Sequence, residues 1–165
     1  MRVRLIPHPS TVRTPFTSLT VNLRRRGARL LIAYELVGTV SKLIVPVPAT
    51  PARTDELWKT TCFELFLCPR AGDAYYEFNF SPSSHWAAYR FEGYRRGMAN
   101  AAMATPLIST SIKGRTFKLT AEIDLSSFSV SPSARLGLTA VLVAKDGAKS
   151  YWALAHGGDK PDFHR

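Results

Sequence analysis

TDELWKTTCFELFLCP, residues 54 to 69, reads as a strand entering a hydrophobic core, yet Glu64 sits in its middle and Trp58 stands just ahead of it. YYEFNFSPSSHWAAYRF, residues 75 to 91, repeats the pattern, with Glu77, Asn79, Trp86 and Arg90 interrupting apolar runs. Successive side chains of a strand point to opposite faces. Phe63, Leu65 and Leu67 therefore share one side, and Cys62, Glu64, Phe66 and Cys68 the other. In the next strand Tyr76, Phe78 and Phe80 oppose Tyr75, Glu77 and Asn79. In the third, Ala87, Tyr89 and Phe91 oppose Trp86, Ala88 and Arg90. PRAGDA and PSS are short enough to join these strands as antiparallel neighbours. The apolar triplets then form one core wall, and the expected opposite wall collects Glu64, Glu77, Asn79, Arg90 and Trp86.

The same period of two runs along most of the chain. In SLTVNL, Leu19, Val21 and Leu23 alternate with polar residues, and RTFKLTAEID does the same with Phe117, Leu119, Ala121 and Ile123. These are half-buried antiparallel strands. RLLIAYEL and ARLGLTAVLVAK are more continuously apolar, as central strands are, and KLIV and SYWALA are shorter strand candidates. Turn signals recur at RRRG, PVPATPAR, PRAGDA, SPSS, IKGR, SPSA and KDGA. Short strands so punctuated predict an all-β sandwich or barrel. Helix is expected only as short turns: one capped by Thr54 over Asp55, Glu56 and Leu57, and another in DLSSF at 124 to 128. Residues 93 to 106 read as a loop with room for a short helix. HGGDKPDFHR follows a strand and a loop, and a sandwich often needs one more strand to close, so a further C-terminal segment is expected.

A chain of 165 residues is expected to form one domain, residues 1–165, with a substantial core. No apolar run approaches the roughly 20 residues that span a bilayer. MRVRLIPHPS lacks the apolar centre of a secretory leader, so a cytoplasmic location is expected unless a leader has been removed. Cys62 and Cys68, six residues apart on one strand, would lie roughly 20 Å apart, too far for a disulfide with each other. The net charge of +10 raises the question of nucleic acid. The basic residues are scattered, however, and RRRGAR reads as a solvated hairpin tip. No helix-turn-helix, RRM or zinc-finger pattern points to sequence-specific nucleic-acid binding.

A face bearing carboxylates, an amide, a guanidinium and an indole suits a saccharide. Indoles cover the C–H faces of a sugar ring. Carboxylate, amide and guanidinium groups form charge-assisted hydrogen bonds with its hydroxyls. The alternative for the same residues is a set of cross-strand ion pairs on an exposed sheet.

LWKTTCFELFL, a Gly-Asp turn, YYEFNFSPSSHWAAYRF and the later SYWALAHGGDKPDFH resemble the type 9 carbohydrate-binding modules and the DOMON-like domains related to them. The resemblance covers most of the chain from about Leu57 onward. It implies a jelly-roll β-sandwich and a sugar held between two tryptophans, with hydrogen bonds from a glutamate and an arginine. By position these fall on Trp58, Trp152, Glu64 and Arg90. The ligand-binding set expected is thus Trp58, Glu64, Arg90, Trp152, Glu77, Asn79 and Trp86, in a monomer with a saccharide ligand and no catalysis. Calcium accompanies sugar-binding members. The aspartates here, Asp73, Asp146, Asp159 and Asp162, are scattered and read first as turn residues, so no cofactor is expected.

Three other readings are open. Glu64 and Glu77 would serve as an acid–base pair in a glycoside hydrolase. Some DOMON relatives bind haem through methionine and histidine, for which His85, Met98, Met103, His156 and His164 are available. An intracellular structural or protein-interaction domain would keep the fold without a small ligand. HGGDKPDFH holds two histidines and two aspartates, but its glycines and proline make it first a loop.

Overall fold

Alternation closes this chain into two facing layers. The computed structural model describes residues 1–11, 13–70 and 72–164; Ala71 of the PRAGDA turn and Arg165 at the end of HGGDKPDFHR lie outside them. The strands are β1 (Arg2–Pro7), β2 (Phe16–Arg26), β3 (Arg29–Gly38), β4 (Cys62–Cys68), β5 (Tyr75–Phe80), β6 (Trp86–Phe91), β7 (Ala99–Asn100), β8 (Leu107–Lys113), β9 (Thr116–Asp124), β10 (Arg135–Val143) and β11 (Lys149–Ala153). Every neighbouring pair is antiparallel, in the order β7-β6-β5-β4-β10-β11-β1-β2-β3-β9-β8.

β1 joins the two layers. Its first residues pair with β2 (Leu5 opposite Leu19) and its last with β11 (Ile6 opposite Ala153). Leu5, Leu19, Val21, Ile32, Leu36 and Leu119 face Phe63, Leu65, Phe78, Leu138 and Trp152 across one core. Phe63 stacks on Phe117 at 5.9 Å, and the buried Tyr34 hydroxyl donates to the Glu64 carbonyl at 2.6 Å. The all-β sandwich expected from the pattern is present.

Local details differ from the sequence reading. KLIV, residues 42 to 45, is not a strand: Lys42 ends a 3-10 turn (Val40–Lys42) and Leu43 makes an isolated bridge to Ala144, because that stretch finds no full neighbour. The turn near Trp58 spans Leu57–Lys59 and follows Glu56 in the left-handed region. Thr54 does not cap it: Glu56 holds the N-cap position and no side chain bonds the turn's first amides. DLSSF does turn, over Ser126–Phe128, with the Asp124 carboxylate accepting from the Ser126 amide at 2.8 Å. Residues 93 to 106 hold the isolated Gly93–Arg96 bridge and the two-residue β7, without a helix. RRRGAR is a hairpin tip, Arg26 pairing with Arg29 around Gly27 at φ 59°.

Candidate functional site

The outward face of β4, β5, β6 and β10 is a second packed surface. Leu57, Cys62, Phe66, Tyr75, Ala87, Tyr89 and Phe91 bury one another there, with Trp58, Cys68 and Phe163 against them. Two carboxylates are set into this layer. Glu64 lies between Thr139 of β10 and Asn79 of β5, and Glu77 between Phe66 and Tyr89. The Thr139 hydroxyl donates to Glu64 Oε2 at 2.7 Å, and Asn79 Nδ2 donates to Glu77 Oε1 at 2.8 Å. Glu64 is 2% exposed.

Burial and the neighbouring Glu77 charge together push the Glu64 carboxyl up to about 8, against the Thr139 hydrogen bond. Burial also raises Glu77, against its bond from Asn79. At neutral pH Glu64 therefore retains its proton and can donate as well as accept hydrogen bonds.

A cavity of about 440 Å³ opens above these two groups. Trp58, on its 3-10 turn, forms one wall, held edge-on to Tyr89 at 6.1 Å. Tyr89 is itself anchored, its hydroxyl donating to Asp55 at 2.6 Å while the Arg53 guanidinium covers its ring at 5.3 Å. Tyr151 and Lys149 of β11 and Arg95 of the loop after β6 also line the cavity.

The remaining wall is the segment after β11, through Pro161, Phe163 and His164. Asp162 ties it down, accepting from Arg95 Nη2 at 3.0 Å and from the Tyr94 hydroxyl. Burial alone would raise the Asp162 carboxyl, but its hydrogen bonds from Tyr94, Arg95 and the His164 amide hold it at about 2. The His164 ring sits among Phe66, Tyr75 and Phe91 with centroids 5.2 to 5.9 Å away. Its Nδ1 is 2.7 Å from the Tyr75 hydroxyl, and its Nε2 is 3.8 Å from Glu77 Oε2. Burial first, and then the Arg95 charge, lower this imidazole to about 4. It is neutral at pH 7, and the contact with Glu77 is not an ion pair.

Of the residues expected at the site, Trp58, Glu64 and Glu77 line the cavity. Asn79, fully buried, braces Glu77 from two residues further along the same strand, β5. The other three are elsewhere. Trp86 and Trp152 belong to the inter-layer core. Arg90 stands on the Trp86 side of β6, opposite Tyr76, and reaches solvent. The reason is strand phase. Phe80 pairs with Trp86, which puts Tyr89 beside Glu77 and Ala87 beside Asn79. The apolar triplet Ala87, Tyr89 and Phe91 thus faces outward with the carboxylates. In β11 Trp152 pairs with Ala140 in the core, so its neighbour Tyr151 faces out. Residues not anticipated for a sugar site include Thr139, Lys149, Tyr151, Arg95 and Phe163, and His164, which the sequence offers only for haem or metal. Tyr151 was recoverable from alternation once the phase of β11 was known.

The aspartates considered for calcium do not converge. Asp146 accepts from the Ala148 amide and Asp162 from Arg95 and Tyr94. Among the described residues no group of three or more His, Cys, Asp or Glu side chains is placed to hold a metal ion. Of the haem candidates, Met98 and His164 line the cavity, Met103 packs against the inter-layer core, and His156 Nε2 lies 3.0 Å from the Ile6 carbonyl.

These features define an antiparallel β-sandwich with a polar well, half walled by aromatic rings, on one outer face. Two solved structures share the fold. One is a candidate carbohydrate-binding protein of Bacteroides uniformis, at TM-score 0.72 and 15% identity over 100% of this chain and 82% of that one. The other is a carbohydrate-binding module of family 9 from Caldicellulosiruptor kristjanssonii, solved with cellotriose, at TM-score 0.53 and 16% identity over 93% of this chain and 73% of that one. No protein-family model matches the chain, and no curated protein does.

Proposed function

We propose that this chain is a non-catalytic carbohydrate-binding domain whose ligand enters the well above Glu64 and Glu77. The observation that supports the reading is the meeting, in one open cavity, of two fixed carboxyl groups with Trp58 and Tyr151. Trp58 offers a face for the C–H surface of a sugar ring, and Tyr151 takes the part expected of Trp152. Glu77 accepts from hydroxyls, protonated Glu64 donates or accepts, and Arg95 and Lys149 supply cationic donors. The likeness of fold to a module solved with cellotriose agrees with this reading. Binding of a reducing end is part of the proposal and separates it from binding along a chain.

Calorimetric titration with glucose, cellobiose, xylobiose and their reduced alditols tests it. Saturable binding of the reducing sugars is expected, with at least tenfold loss in Trp58→Ala and Tyr151→Ala. Arg115→Ala, on an exposed turn, should bind as the parent does. No heat with any sugar would remove the reading.

A further inference from the structure

A second hollow of about 520 Å³ lies on the same face. Its floor continues the strands of the first. Along β4 the outward residues run from Glu64 through Phe66 to Cys68, and along β10 from Val141 through Thr139 and Gly137 to Arg135. From Val141 to Arg135 that floor is roughly 20 Å long. Gly137 lies flat against Phe66, where a Cβ would come within 3.2 Å of Phe66 Cβ.

Three residues line both hollows: Phe66 in the floor, and Phe163 and His164 above it. The partition is therefore the chain's own segment after β11, which forms no strand. Its polar ties run through Asp162 to Arg95 and Tyr94, with the Arg95 and Asp162 side chains 54% and 17% exposed, and through His164 to the Tyr75 hydroxyl at 2.7 Å. The tie is a few polar contacts with one solvent-exposed partner, not a packed strand pairing. The His164 ring fills a box of Phe66, Tyr75 and Phe91 that otherwise offers three aromatic surfaces to a ligand. At the far end stand Asp73, Tyr94 and Arg135, polar groups suited to hydroxyls.

We infer that the two hollows are halves of one groove for the terminal rings of a linear oligosaccharide, its reducing end above Glu64 and Glu77, and that residues 161–164 form a strap that must leave Phe66 before the following rings lie across. The inference rests on the sugar-binding reading of the first cavity. Short sugars need only that cavity; long ones need the strap displaced.

The test compares the parent with Asp162→Ala/His164→Ala, using cellobiose and cellopentaose in calorimetry and a thiol reagent on Cys68. Cys68 is half-buried in the second hollow, and fully buried Cys62 serves as an internal control. In the double variant, cellopentaose should bind at least tenfold tighter than cellobiose. Cys68 should label several-fold faster than in the parent, and cellopentaose but not cellobiose should slow that labelling. Faster labelling with equal affinity for the two sugars overturns the single groove and leaves the sugar reading standing. Faster labelling with no sugar bound by either protein overturns the sugar reading as well. Unchanged labelling overturns the strap. If the double variant does not fold, Arg135→Ala decides: it must weaken cellopentaose more than cellobiose, and equal effects refute the groove.

Discussion

Glu64 is a carboxyl group in a packed layer, and the surroundings make it an acid that keeps its proton at neutral pH. Its folded value of about 8 lies above the ordinary 4.5, with burial the larger cause and the Glu77 charge the second. A raised folded value means that the native state binds more protons than the unfolded chain. The contribution is fully present below pH 4.5 and is lost as pH rises through 8. His164 works in the opposite sense, with a folded value of about 4 below its ordinary 6.5, but its effect is complete above pH 6.5. Between pH 6.5 and 8 the carboxyl group therefore acts without that opposition. Stability should fall across this window by up to about 1.4 kcal/mol per pH unit. Glu64→Gln should flatten the slope, which urea denaturation at pH 6.5 and 8.5 measures directly.

At the scale of elements, the hairpin between β5 and β6 sets which side chains meet. Its connection is five residues, 81 to 85, closed by the Ser81 amide on the His85 carbonyl at 2.9 Å, with Ser84 at φ 74°. This register turns Tyr89 toward Trp58 and Trp86 toward the core. A one-residue slip would exchange the two faces. At the β2–β3 pair, the register shifts between Phe16 and Ser18, and Gly38 stands opposite Phe16 at φ 152°. A Cβ at Gly38 would lie 2.6 Å from the Phe16 Cα and the Pro15 carbonyl oxygen, both backbone atoms. Gly38→Ala should therefore destabilise the protein by about 3 kcal/mol, read as a lower urea midpoint with an unchanged slope.

For the whole molecule, β1 makes the two layers one unit, because it pairs with β2 and with β11 and carries Leu5 into their shared core. Neither layer can lose its strands without exposing the other. Unfolding should therefore be a single transition. Trp86 and Trp152 lie in the inter-layer core and Trp58 at the well. Tryptophan emission from a Trp58→Phe variant, which reports the core, should superimpose on far-ultraviolet circular dichroism and on emission from the parent. Separate midpoints would show that the outer face melts on its own.

Alternation in CFELFLC and YYEFNF was enough to predict antiparallel strands, an inner wall of Phe63, Leu65, Leu67 and Phe78, and an outer wall bearing Glu64 and Glu77. Those strands carry one clear apolar stripe, so their phase is legible without neighbours. WAAYRF and SYWALA carry aromatic side chains on both faces, and either phase buries a large ring. There only pairing decided: Phe80 against Trp86 and Ala140 against Trp152 sent both tryptophans to the core and Tyr89 and Tyr151 outward. The same holds for MRVRLIP, whose role as the link between layers is set by its two partners, and for His164, brought to Glu77 from 87 residues away along the chain. Periodicity is a local property of a strand; which strand stands beside it, and what then closes over the site, is decided by contacts between distant parts of the chain.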